Sequence, residues 1–137
     1  NDNSVVVFDV GGDDDGALAL GQYKQYFDKY GYEMHFIVNT KRPLTRTNDE
    51  LIEIAERIES ASRLKFTDIY NNTNLSDQTD ETTLFSGYDE IKMLSKKMGI
   101  VIKKNCGIDK ALSNVPTNLK DTVFRMNICI LRPWEIQ

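Results

Sequence analysis

The run Val5-Val6-Val7-Phe8, ended by Asp9 and broken at Gly11 and Gly12, is the feature that most constrains this chain. Its apolarity is continuous rather than alternating, which suits a strand buried on both faces, as in a parallel sheet under helices. The same plan repeats downstream. Residues 16–30 carry Leu20, Tyr23, Phe27 and Tyr30 at helical spacing and stop at Gly31. Residues 32–39 (YEMHFIVN) read as a second strand. Thr47 and Glu50 then have capping-box spacing, and the helix they open carries Leu51, Ile54, Ala55, Ile58 and Leu64 on one stripe. Residues 66–71 (FTDIYN) predict a third strand, residues 72–83 a polar loop, and residues 88–98 a helix ending at Gly99. Residues 100–103 (IVIK) predict a fourth strand, residues 109–112 a helical turn, and residues 122–131 a last strand at a sheet edge. Strands alternating with helices over connections of ordinary length predict βαβ units on a mostly parallel sheet, a three-layer α/β fold with helices on both faces.

At 137 residues and 15.7 kDa the chain is the size of one domain with a real core. No apolar run approaches the ~18 residues of a membrane span. Net charge is −4 and the pI is near 5.0, which argues against nucleic acid as a direct partner. Cys106 and Cys129 are far apart, form no C-x-x-C, and have only His35 to join them, so a structural zinc site is not expected. They read as two buried free thiols in a reducing cytosol. His35 reads as a half-buried strand residue. With one histidine on a strand there is no credible Ser/His/Asp set, and neither cysteine has a base nearby in sequence.

Ligands of parallel α/β sheets sit beyond the carboxyl ends of the strands. Three polar clusters fall there: DVGGDDDG after the first run, NTKRP after the second and NNTN after the third. In the first, Asp9 and Gly12 form D-x-x-G. An acid at such a strand end can hold Mg²⁺, usually through water, and a glycine three residues on lets a backbone N–H approach a phosphate. A plain strand-to-helix turn uses the same residues, and Asp13, Asp14 and Asp15 are equally read as acids complementing a helix dipole. In the second, Lys41 or Arg42 could face a phosphate or an acidic partner, or simply solvent. In the third, Asn71 and Asn72 offer amides suited to the edge of a purine base, or form an Asx-rich turn. Arg132, Pro133 and Trp134 place a flat ring beside a rigid turn, where a base could stack or an apolar lid form. No G-x-x-x-x-G-K-[ST] phosphate loop is present.

The segments VVVFDVGGDDDGALALGQY, IVNTKRP and SASRLKFTDIYNNTNL together resemble the C-terminal part of MinD/ParA-type ATPases, in the CobQ/CobB/MinD/ParA nucleotide-binding group of P-loop proteins. The resemblance covers roughly residues 4–104. It implies that Asp9 serves Mg²⁺, that Gly11 and Gly12 approach the γ-phosphate of ATP, and that Asn71 or Asn72 contacts the base, with residues 132–134 flanking it more weakly. The phosphate loop of that family precedes this region, on a strand lying in the sheet between the first two strands read here. The resemblance therefore implies that residues 1–137 are the C-terminal portion of one P-loop NTPase-like domain.

The expected function is that of a cytoplasmic nucleotide-binding protein with slow Mg²⁺-dependent ATP hydrolysis in its full-length form, inactive as these residues alone. A homodimer and a protein partner are implied with it. The rival reading is a non-enzymatic α/β binding module, receiver-like or a degenerate ATPase, acting through protein contacts. An aspartyl phosphotransferase needs a second acid two residues after the first, and position 11 is Gly.

Overall fold

A computed structural model describes residues 4–12 and 14–129. The elements are α1 (Asp14–Gly21), α2 (Lys24–Tyr30), β1 (His35–Val38), α3 (Asn48–Ser62), β2 (Asp68–Asn71), α4 (Glu81–Phe85), α5 (Tyr88–Met98), β3 (Val101–Gly107) and β4 (Val123–Arg125), with short 3-10 turns at Ser76–Gln78, Asp109–Leu112 and Thr117–Thr122. The four strands form one sheet in the order β1-β2-β3-β4, and every pair is parallel. The fold is α/β, as the alternation predicts.

The layering differs from the expectation. Right-handed crossovers that always step in the same direction place their helices on the same side of the sheet, and covering the second side requires the strand order to reverse. Here it never reverses. Accordingly Phe36, Val38 and Ile69 face one core with Ala17 of α1, Leu51, Ala55 and Ile58 of α3, and Ile91 and Leu94 of α5. Among the described residues the other face, bearing His35, Ile37, Tyr70 and Val101, has no helical layer: Ile37 is 55% and Val101 66% exposed.

The first predicted strand is also corrected. Residues 4–10 are in no strand, and Val5, Val6 and Val7 are 87%, 73% and 84% exposed. β-branched composition suits a pleated surface, but a strand exists only against a neighbour. The run is held through Phe8, whose ring lies 6.0 Å from that of Tyr23 and 5.6 Å from that of Phe27.

The helix expected over 16–30 is two helices. Gly21 lies so close to α3 that a Cβ there would stand 3.2 Å from the Ala61 carbonyl oxygen, and the Arg63 guanidinium donates to the Gly21 carbonyl. That capture removes an acceptor on which the helix would continue. The capping box of α3 forms as expected: Glu50 N–H donates to Thr47 Oγ1, and Thr47 N–H donates to Glu50 Oε2. Arg46 N–H foremost, and then Thr47 N–H, donate to the Glu50 carboxylate and hold it below the usual carboxylate range. α4 falls at the end of the segment predicted as loop. Asp80 caps it by accepting from Thr83 N–H, and Leu84 anchors it at 0% exposure.

Candidate functional site

Parallel register brings the carboxyl ends of the strands to one edge of the sheet. Val38 lies beside Asn71, and Asn71 beside Asn105. The polar residues that end these strands bind each other. The Asn71 amide nitrogen donates to Asn105 Oδ1 at 3.0 Å and to the Leu84 carbonyl at 3.1 Å, while its oxygen accepts from Thr73 N–H. Asn105 passes the chain on to Thr122 Oγ1 at 2.9 Å. On the other side Thr40 N–H donates to Thr73 Oγ1, and the two hydroxyls are 3.2 Å apart. Asn39 and Asn74 exchange bonds through the Asn39 side chain. Asn71, Thr73 and Asn105 are all 0% exposed. This lattice ties three strand ends into one rigid rim, and in a low-dielectric interior each member depends on the others.

Asn71, expected at a base, is therefore turned into the protein with its amide engaged on both sides. Asn72 is partly exposed at the same rim. Asp9, Gly11 and Gly12 are exposed on the segment that leads into α1. A Cβ at Gly12 would meet nothing within 4 Å, and its φ lies outside the left-handed region, so neither packing nor turn geometry demands glycine there. Asp13 and the Arg132, Pro133 and Trp134 group lie outside the described residues.

Beside the rim a cleft of about 380 Å³ opens between the turn after β1 and the start of α5, lined by Thr40, Lys41, Arg46, Ser86, Gly87 and Glu90. Its floor is a close approach. A Cβ built on Gly87 would stand 2.2 Å from Thr40 Oγ1, so only glycine lets α5 begin against β1. Glu90 belongs to the scaffold: its Oε2 accepts from Asn48 N–H at 2.8 Å and so caps α3. The cleft is basic through Lys41 and Arg46, both exposed.

A second polar group lies on the bare face. His35 Nδ1 and Asp68 Oδ1 are 2.5 Å apart, His35 Nε2 is 3.6 Å from Glu33 Oε2, and Asp68 is 4% exposed. Lys103 Nζ stands 2.9 Å from Glu33 and 3.4 Å from Asp68. The Glu33 and Asp68 carboxylates raise the Lys103 ammonium above its ordinary pKa, the Glu33 hydrogen bond foremost. Glu33, His35 and Asp68 have donor atoms within 4.8 Å of one another, but Lys103 supplies the positive charge that a metal ion would bring.

The thiols divide. Cys106 is buried at the carboxyl end of β3, and burial pushes it up to about 11, whereas Cys129 is exposed, against the expectation of two buried thiols. One equivalent of a thiol reagent should therefore react quickly at pH 8 in the native protein, and the second only on unfolding. Equal rates for both would contradict the burial of Cys106. Because its folded-state pKa is the raised one, Cys106 contributes stability that is present below about 9 and lost toward about 11.

The interlocking of Thr40, Gly87 and Asn105 depends on contacts between segments far apart in sequence. Asn105 follows Lys103 and Lys104, beyond the run read as a strand, so the local pattern does not mark it. No protein-family model matches the chain, and no curated protein or solved structure matches it. No described helix is long and apolar enough to cross a membrane.

Proposed function

We propose that this chain is the nucleotide-binding C-terminal part of a MinD/ParA-type ATPase that binds Mg·ATP at the carboxyl edge of its parallel sheet. One observation carries the reading. Among the described residues β1 is an edge strand with its outer side unpaired, and a strand-forming run, Val5 to Phe8, is in no strand. The resemblance puts the strand of the phosphate loop between the two. Such a strand would also reverse the order of the sheet and bring helices to the bare face.

In this reading the Asp9 carboxylate serves the cation through water. One carboxylate suffices, because Mg²⁺ keeps several waters and takes its other ligands from phosphate. The bound Mg²⁺ would offset phosphate charge during transfer of the γ-phosphoryl group to water. Gly12 presents its N–H without a Cβ in the way, consistent with a glycine that neither packing nor turn requires. Asn72 is the better candidate for the base, with Asn71 holding the rim that positions it, and residues 132–134 flank the base. Lys41 and Arg46 give the neighbouring cleft its positive charge. A cytoplasmic location and ATP-linked homodimerisation belong to the same proposal.

The test is Mg²⁺-dependent ATP binding by the native polypeptide and by its Asp9→Ala variant. Binding weakened by about tenfold or more in the variant is expected, the scale of losing a metal-site residue. Residues 1–137 alone should show no hydrolysis above background; turnover by these residues alone, or binding indifferent to Asp9, would refute the reading. The second reading, a non-enzymatic module acting through protein contacts, is favoured by Ile37 and Val101 on the bare face.

A further inference from the structure

The turn after β1 carries two local costs that the fold does not recover, and we propose that it is a docking surface for an acidic segment of another protein. The first cost is Leu44. Its φ of 65° lies in the left-handed region, which glycine enters freely and leucine only under strain. Among the described residues Leu44 is 68% exposed, so the strained side chain packs on little. Hydrogen bonds hold the turn in this shape: Lys41 N–H donates to Asn39 Oδ1 at 3.0 Å, Arg42 N–H to the Asn39 carbonyl at 3.1 Å, and Thr45 Oγ1 to the same carbonyl at 2.7 Å. Strain that the surroundings enforce is a mark of binding sites, and here it presents an apolar side chain outward.

The second cost is charge. Lys41, Arg42 and Arg46 are all exposed, and among the described residues none of them has an ion pair. The acids nearby are committed to the start of α3: Glu50 accepts from Arg46 N–H and Thr47 N–H, and Glu90 from Asn48 N–H. Lys41 and Arg46 line the cleft of about 380 Å³ beside the rim, so a carboxylate seated there meets two cations while its apolar neighbour covers Leu44. An apolar centre with a charged rim suits a small protein interface. The rest of the molecule disfavours an extended polyanion. With 21 acidic against 17 basic residues it repels nucleic acid and anionic membrane, which need many cations over a broad surface. A short acidic segment meets this turn alone. The surface lies at the carboxyl edge of the sheet, rather than on the outer edge of β1 or the bare face that the proposed function fills. That reading uses the positive charge of Lys41 and Arg46 but gives Leu44 no role.

The experiment selects binders from a displayed library of random short peptides on the native polypeptide, without nucleotide, and titrates them against Leu44→Ala, Leu44→Gly and Arg42→Glu variants. The expected consensus sets acidic residues beside an apolar one, and each variant should weaken the selected peptides about tenfold or more. Leu44→Gly should keep a thermal midpoint close to or above the parent's, because it relieves the strain; a clear fall would show that Leu44 serves packing and would overturn the inference. No consensus, a consensus without acids, or peptides that bind Leu44→Ala as tightly as the parent would overturn it too. So would Leu44-dependent binding to phosphatidylserine vesicles, which would make the surface a membrane contact. Because the selection contains no nucleotide, its result stands whether or not the polypeptide binds Mg·ATP, and the two readings fail separately.

Discussion

Gly87→Ala should be among the most damaging single substitutions in this protein, lowering stability by about 3 kcal/mol, at the upper end of what an overpacked core costs. The added Cβ would fall 2.2 Å from Thr40 Oγ1, 2.5 Å from its Cβ and 2.6 Å from its Cγ2, so no rotation of the Thr40 side chain relieves the clash. Either α5 withdraws from β1 or the Thr40 turn shifts, and Thr40 is itself bound to Thr73 inside the rim. For a chain of this size the midpoint should fall by roughly 10 °C. Gly12→Ala is the control, because its Cβ meets nothing, and it should stay within about 0.5 kcal/mol of the parent. Thermal unfolding followed by circular dichroism measures both. A Gly87→Ala protein as stable as the parent would show that α5 and the β1 turn do not meet as described.

Asn71→Ala should cost about 3–5 kcal/mol, a large effect for a polar residue at a strand end. Truncation leaves the Leu84 carbonyl, Asn105 Oδ1 and Thr73 N–H without their Asn71 partner in the buried rim. Asn72→Ala, one residue on and partly exposed, should change stability little and, if the proposed function holds, weaken nucleotide binding instead. The pair separates a scaffold role from a ligand role: urea unfolding reads the first, and nucleotide titration of the native polypeptide the second. A stable Asn71→Ala protein with impaired nucleotide binding would reverse the two assignments.

What was legible in the sequence follows from the range of the interactions involved. The α3 helix and its capping box were readable because Thr47 and Glu50 are three residues apart. The cores of β1, β2 and β3 were readable because short apolar runs bounded by polar turns need no distant information. The 5–8 run misled, since its composition states a propensity while strand formation needs a neighbour. The break between α1 and α2 was hidden because its cause, Arg63 on the Gly21 carbonyl, lies 42 residues away. The layering was hidden for a related reason: strand order, not strand composition, decides which face the helices cover. At the rim, the Asn71 amide reads from sequence either as suited to a base edge or as part of an Asx-rich turn, and it closes such a turn on Thr73 N–H. Its inward role depends on Asn105, 34 residues on, and on a register that sequence does not display.

The central claim is the proposed function, in which one further strand, bearing a phosphate loop, pairs with β1 in a protein that binds nucleotide. The most direct measurement is the intact mass and peptide map of the native polypeptide, read for what lies upstream of Asn1. The account predicts an apolar strand there, followed by a glycine-rich loop carrying Lys and Ser or Thr, which would set a phosphate cradle beside Asp9 and Gly12. A native polypeptide that starts at or just before Val5 would contradict it and leave the protein-binding module as the better description.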